Sequence, residues 1–138
     1  MNIAHKNKTI ATLLASLFGG FGIHRFYLYG MKDIGGLIHL LAAVISVLAI
    51  VFGGDRPVIF LAGTFVLSAI AGFIEALVIG LTPDDKWDAL HNANSGKVSS
   101  SDWPLAILLV LTAGGGATAV IAAIARTFDL LFTGGAYG

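Results

Sequence analysis

Four ionisable side chains lie within or beside long apolar stretches of this sequence: His24, Arg25, His39 and Glu75. Glu75 is the only charged residue between residues 58 and 81, and an unpaired charge inside hydrocarbon costs at least roughly 2.5 to 3.5 kcal/mol. A charge at that depth therefore needs a partner. We predict an ion pair between the carboxylate of Glu75 and the guanidinium of Arg25, with His24 or His39 within hydrogen-bonding reach.

Three roles are open for Glu75. The ion pair can serve only to hold helices together, which is the favoured interpretation. Alternatively, Glu75 and His39 can bind a proton or cation during transport. In the third case Glu75 simply extends to the membrane interface, as long charged side chains do.

No other pattern predicts a catalytic or metal-binding site. The four histidines lack the spacing of metal ligands and cysteine is absent, so we expect no metal and no cofactor. The serines within apolar stretches have no nucleophile motif around them. The acids Asp84, Asp85 and Asp88 lack the alternating oxygen pattern of a calcium loop, so we expect them to cap a helix and face water. The protein is therefore expected not to be an enzyme.

Amino-acid composition indicates that the protein lies in a lipid bilayer and not in water. Hydrophobic residues make up 57% of the 138 residues and charged residues 12%, with a mean hydropathy of +0.88, whereas soluble domains carry about 25% charged residues. A soluble fold of this size could not bury so much apolar surface. The net charge of zero provides no electrostatic surface for nucleic acid. We expect the lipid bilayer as a partner and an all-α fold: a polytopic integral membrane protein with about four transmembrane helices and a short interfacial helix.

Polar breaks divide the chain into two parts. Residues 1–94 are predicted to hold three spans and an interfacial segment, and residues 95–138 a polar linker, a fourth span and a tail. The predicted spans cover about 9–30, 34–52, 58–81 and 104–126, with the interfacial segment at 83–93. The first apolar run is short, so we expect its span to recruit the aromatic residues that follow.

The predicted spans determine an expected topology. Gly53 to Pro57 predicts a reversal of the chain, because paired glycines and a proline do not continue a helix. Four spans place both termini on one side of the membrane. The lysines and arginines then divide evenly between the two sides, so the orientation stays undetermined.

Small residues recur at every fourth position in two of the predicted spans, which lets neighbouring helices approach closely. These packing residues are Ala11 and Ala15 in the first span and Ser68, Gly72, Ala76 and Gly80 in the third. In the fourth span, Gly114 to Gly116 predict either a kink or close packing against a neighbour.

The stretch between the first two runs combines glycines, a histidine, an arginine and aromatic rings. Its most specific residues are Gly19, Gly20, Gly22, His24, Arg25, Phe26, Tyr27 and Gly30. This stretch resembles the signature of TM2-domain proteins, and a second likeness runs from Gly72 to Asn92, where Glu75 stands in place of the family's usual Asp. Family members are usually two-helix modules. The resemblance therefore implies an inserted span from about Val44 to Ala71 and an added C-terminal helix from Leu105; it implies no enzyme and no established cofactor.

These patterns favour a non-catalytic membrane module that acts as an accessory, assembly or scaffolding subunit. We expect a homo-oligomer or a member of a larger membrane complex, held by small-residue helix packing. The expected location is the bacterial inner (cytoplasmic) membrane, as a multi-pass protein. The alternative is a small oligomeric transporter or channel that uses Glu75 and His39 as coupling groups.

Overall fold

A computed structural model describes residues 5–137, and they form helices with no strand among them. The helices are α1 (Lys8–Phe18), α2 (Ile23–Tyr29), α3 (Ile34–Phe52), α4 (Val58–Leu61), α5 (Gly63–Leu81), α6 (Asp84–His91) and α7 (Trp103–Thr133), with a 3-10 turn at Gly19–Phe21. Helices α3, α5 and α7 are long and apolar enough to cross a membrane. Helix α1 and the 3-10 turn after it together form a shorter apolar helix, Lys8–Phe21. The predicted all-α, multi-pass class is confirmed.

The first apolar run folds back on itself instead of crossing the membrane in one direction. The ammonium of Lys6 donates to the carbonyl of Tyr27 at 2.7 Å, and the N–H of Asn7 donates to the hydroxyl of Tyr27 at 3.0 Å. A straight helix would place residues 7 and 27 roughly 30 Å apart at 1.5 Å per residue. Helices α1 and α2 therefore form a hairpin, and the expected continuous span over 9–30 is replaced by this turn.

The hairpin turns at the glycines. Gly22 has a φ of 73°, which is left-handed backbone that side chains with a Cβ rarely adopt. The N–H of Gly22 bonds to the carbonyl of Gly19, and the hydroxyl of Ser68 donates to the carbonyl of Gly20 at 2.7 Å. The polar backbone of the turn is thus bonded within the protein, as a break at membrane depth requires.

Helices α3 and α5 form the antiparallel pair that the Gly53 to Pro57 corner predicts. His39 Nδ1 lies 2.7 Å from the hydroxyl of Ser68, and further along the same pair the hydroxyls of Ser46 and Thr64 lie 2.7 Å apart. Residue numbers rise along α3 as they fall along α5. The chain therefore doubles back at the corner.

Helix α5 lies at the centre of the fold. It packs against α1, the glycine turn, α3 and α7. Its small residues Ser68, Gly72, Ala76 and Gly80 are all buried, and so are Ala11 and Ala15 on the neighbouring α1. These small side chains let the hairpin approach the helix backbone.

Helix α7 runs antiparallel to α5. Gly80 lies against Leu109, and Gly116 lies against the ring of Phe73. The helix passes through Gly114 to Gly116 without interruption and ends at Thr133, beyond the end expected near residue 126. Pro104 in its first turn fits the start of a helix, where the missing N–H removes no internal bond.

The two ends of the bundle carry different parts of the chain. At the α6 end, buried Lys8 contacts the carbonyl of Thr82 and the carboxylate of Asp84. At the α4 end, Ile59 and Phe128 line one groove. Because the hairpin returns to the end where it began, residue 5 lies at the α6 end and residue 137 at the α4 end. The expectation that both termini share one side is therefore wrong for this fold.

Candidate functional site

The predicted ion pair between Arg25 and Glu75 is present. Arg25 Nη1 donates to Glu75 Oε1 at 2.7 Å, and Arg25 Nε donates to Asp33 Oδ2 at the same distance. Asp33 also accepts the N–H of Gly36 at 2.7 Å and so caps α3. The guanidinium therefore bridges two carboxylates, one from α5 and one from the start of α3.

Both candidate histidines lie against the same oxygen of Glu75. Nε2 of His24 is 2.6 Å and Nε2 of His39 is 3.3 Å from Glu75 Oε2. The other ring nitrogen of His39 contacts the hydroxyl of Ser68, which donates to the carbonyl of Gly20. The structure thus joins the hairpin, α3 and α5 through one set of polar contacts, which we call the Glu75 cluster: His24, Arg25, Asp33, His39, Ser68 and Glu75.

Glycines of α3 make room for the cluster. A Cβ at Gly35 would collide with the guanidinium of Arg25, and a Cβ at Gly36 would lie 2.5 Å from the ring of Phe26. Sequence reasoning missed Asp33, Gly35 and Gly36. Their signal is an aspartate at a helix N-cap position followed by a glycine pair, directly after the hairpin.

A small cavity reaches the cluster from the α6 end. It has a volume of about 140 Å³ and is lined by His24, Arg25, Leu28, Tyr29, Glu75, Val78 and Ile79. That volume is large enough for several water molecules. The ring of Tyr29 lies 5.7 Å from that of His91, which places the cavity mouth beside α6.

The remaining signature residues shape the hairpin. Gly19 and Gly20 are buried in the turn, and Gly30 ends α2 with a φ of 88°. The hydroxyl of Tyr27 ties α2 to the chain before α1, and the ammonium of Lys6 lies 4.8 Å from the centre of the Tyr27 ring.

A second polar group lies at the α6 end and fastens the segment before α7. Asp88 accepts the N–H of Ser99 at 2.7 Å and its hydroxyl at 2.6 Å, and Asp84 accepts the same two groups of Ser101. Hydrogen bonds from Ser99 and then Asn92 lower the pKa of Asp88 to about 2. The hydrogen bond from Lys8 lowers the pKa of Asp84. These two acids thus bind a loop in addition to starting α6.

The predicted interfacial segment forms α6, and it is anchored to the start of the chain. Trp87 is buried, and its indole N–H donates to the carbonyl of Lys6 at 3.0 Å. Asn92 accepts the N–H of Lys6 at 2.7 Å. Among residues 5–137, no group of three or more His, Asp or Glu side chains has the arrangement of a metal site.

Comparison with known proteins finds a family match for the first part of the chain. The family model described as TM2 domain matches residues 4–56. The uncharacterized membrane protein YozV of Bacillus subtilis is 37% identical over 65 residues, which are 45% of this chain and 75% of that protein. No solved structure matches the chain. The matched family region covers the hairpin, α3 and the corner after it, and the expected likeness from Gly72 to Asn92 lies outside that region.

Proposed function

This chain belongs to the TM2-domain family of membrane proteins, and from that premise we propose that it is a non-catalytic accessory or scaffolding subunit. It assembles with copies of itself or with other membrane proteins through helix packing. The relative's description as an uncharacterized membrane protein is compatible with this role and adds no activity to it.

The outer face of α7 is the observation that carries the proposal. The small residues of α1 and α5 are already used inside the fold, whereas Gly114, Thr118 and Ala122 form an exposed stripe at four-residue spacing on α7. Apart from its chain neighbours and the backbone of its own helix turn, a Cβ built on Gly114 meets no atom of the described residues within 4 Å. Such stripes are typical of contacts between membrane helices, since they allow close backbone approach.

A substitution on this stripe tests assembly without disturbing the fold. Gly114→Leu has open space around it and improves helix propensity, so the single chain is expected to fold as before. Native mass spectrometry in lipid nanodiscs or mild detergent then measures the number of copies and any co-purifying partner. Ala106→Leu, which adds the same side chain elsewhere on the exposed surface of α7, is the matched control.

The outcomes separate the two possibilities. We expect the wild-type protein and Ala106→Leu to form the same assembly and Gly114→Leu to lose it. A wild-type protein that is monomeric in nanodiscs, with no bound partner, contradicts the proposal.

A small oligomeric transporter or channel is the second candidate function. The observation in its favour is the proximity of Glu75 and His39, whose Oε2 and Nε2 atoms lie 3.3 Å apart, together with the cavity of about 140 Å³ that Glu75 lines. Liposome flux of protons and monovalent cations, compared between wild type and Glu75→Gln, tests it. Equal and negligible flux from both proteins removes this candidate.

We further propose that the protein lies in a bacterial inner membrane with its α6 end in the cytoplasm. The hairpin brings Lys6 and Lys8 to the α6 end. Five basic residues lie there, Lys6, Lys8, Lys32, Lys86 and Lys97, against two at the α4 end, Arg56 and Arg126. Short loops rich in lysine and arginine favour the cytoplasmic side.

Cysteine labelling in intact cells tests the orientation directly, because the chain has no cysteine of its own. Asp55→Cys at the α4 end is expected to react with a membrane-impermeant maleimide, while Ser100→Cys at the α6 end reacts only after the cells are opened. The reverse pattern contradicts the orientation.

A further inference from the structure

The Glu75 cluster has an unbalanced charge unless it binds a proton. Counted with neutral imidazole rings, the cluster carries one positive charge on Arg25 and one negative charge each on Asp33 and Glu75. The cluster lies between packed helices and is partly shielded from water: the exposed side-chain fraction is 1% at His24, 10% at His39, 16% at Asp33, 27% at Arg25 and 29% at Glu75. A net charge of that kind is much less stable there than in water.

The direction of the hydrogen bonds shows that Nδ1 of His39 carries a hydrogen. The hydroxyl hydrogen of Ser68 is donated to the carbonyl of Gly20, so the Ser68 oxygen can only accept from His39. Nδ1 of His39 therefore carries a hydrogen. In the neutral ring its Nε2 would then present a lone pair to Glu75 Oε2 at 3.3 Å, where two acceptors face each other with no hydrogen between them.

His24 cannot hold the missing proton as well as His39 can. Its Nε2 lies 2.6 Å from Glu75 Oε2, and its Nδ1 is buried with no hydrogen-bond partner in the described part of the chain. A second hydrogen on His24 would be a buried donor without an acceptor, which is unfavourable. His24 is therefore the neutral donor to Glu75.

We propose that the Glu75 cluster binds one exchangeable proton, shared between Nε2 of His39 and Oε2 of Glu75. The proton removes the conflict between the two acceptors and brings the formal charge of the cluster to zero. Glu75 faces His39 from α5, His24 and Arg25 face it from α2, and Asp33 lies at the start of its own helix. The charged residues of α7, Arg126 and Asp129, form an ion pair with each other.

The bound proton links three elements of the fold. With the proton present, His39 bonds to Ser68 and Glu75, so α3, α5 and the hairpin turn are joined. When the proton leaves at high pH, the acceptors repel one another and the contact between α3 and Glu75 weakens. The cavity of about 140 Å³ beside Glu75 supplies the route by which water at the α6 end reaches the site.

The proposal goes beyond the assembly role and deepens the transport candidate by naming the coupling ion and its site. Proton binding does not require transport: a protein that binds the proton but shows no flux retains the site and loses only the transport function. If spectroscopy detects no proton between His39 and Glu75, the proposed proton site is contradicted, whatever the flux measurement shows.

Nuclear magnetic resonance and infrared spectroscopy of the full chain in lipid nanodiscs test the proposal. Histidines labelled with ¹⁵N report whether each ring nitrogen carries a hydrogen, and contact with Ser68 identifies His39 in the wild-type protein. The infrared band of a protonated carboxylic acid reports Glu75. At neutral pH we expect either His39 with both nitrogens protonated or an acid band that is lost in Glu75→Gln. His39 with a bare Nε2 and no such acid band overturns the proposal.

Two variants separate the site from a general effect of titration. Ser68→Ala removes the acceptor of the Nδ1 hydrogen, and we expect it to weaken proton binding about tenfold, as the loss of one hydrogen bond implies. His91→Asn, at the α6 end and outside the cluster, is expected to leave the signals of His39 and Glu75 unchanged. Equal proton binding in wild type and Ser68→Ala contradicts the proposed bonding of His39.

Discussion

Gly19 and Gly72 meet backbone to backbone, where the turn of the hairpin crosses the centre of α5. A Cβ built on either glycine would lie 2.6 Å from a backbone carbon of the other. Real Cβ contacts are not that short, so any larger residue would push the hairpin away from α5. This contact sets the position of the residues that follow, because His24 and Arg25 come directly after the turn.

The first prediction concerns this contact. Gly72→Ala is expected to destabilise the protein by about 1–3 kcal/mol, as overpacking of a close contact does. Unfolding in mixed micelles, followed by circular dichroism, measures the change. The control is Gly114→Ala, which has open space and should be neutral or stabilising by up to about 1 kcal/mol. Equal stability of both variants would show that the two backbones do not touch.

The second prediction concerns the ion pair. Arg25→Gln and Glu75→Gln should each destabilise the protein by about 1.5–3 kcal/mol, since each breaks a charge-assisted hydrogen bond in a partly buried site. The double variant should cost less than the sum, because the two residues contact each other. Additive losses would mean that the pair contributes no coupling energy.

The third prediction concerns the hairpin. Single cysteines in place of Asn7 and Tyr27 should be joined by a short bifunctional maleimide, because the N–H of Asn7 bonds to the side chain of Tyr27. The absence of native cysteine makes the product unambiguous. The matched pair Asn7→Cys with Phe21→Cys, which places the second thiol at the turn, should not be joined. Cross-linking of the second pair alone would indicate a different path for this segment.

The fourth prediction concerns acid. Hydrogen bonds from Ser99 and Asn92 lower the pKa of Asp88 to about 2, whereas the pKa of an aspartate in the unfolded chain is about 3.9. A depressed pKa stabilises the folded state fully above the unfolded value, and this stabilisation is lost as the pH falls towards the folded value. The bond from the N–H of Ser99 should therefore weaken between roughly pH 4 and pH 2.

Hydrogen exchange of the Ser99 amide measures this effect. Protection should fall over that pH range in the wild-type protein and should already be low at neutral pH in Asp88→Ala, which removes the acceptor of the Ser99 N–H. Asp85→Asn, which changes an exposed carboxylate on the same helix, is the control and should leave the protection unchanged. A wild-type amide that stays fully protected at the acid limit would contradict the assigned bond.

The sequence by itself determined that the protein lies in a membrane and that the carboxylate of Glu75 needs a polar or charged partner. Apolar content and isolated charge are properties of composition, so they predict a multi-pass helical membrane protein before any contact is known. The same reasoning identified Arg25, the nearest fixed cation to follow the glycines. It also identified the reversal at Gly53 to Pro57, because those residue types end helices wherever they occur.

Only the tertiary structure decided which way the chain runs after Gly22. Composition shows that a helix is weak at three glycines, but a continuous span and a hairpin share the same residues. The left-handed backbone of Gly22 and the contact of Gly19 with Gly72 select the hairpin. That choice brings Asp33 to Arg25, sets His39 against Glu75, and places residues 5 and 137 at opposite ends. These relations depend on packing between distant segments, which no local pattern encodes.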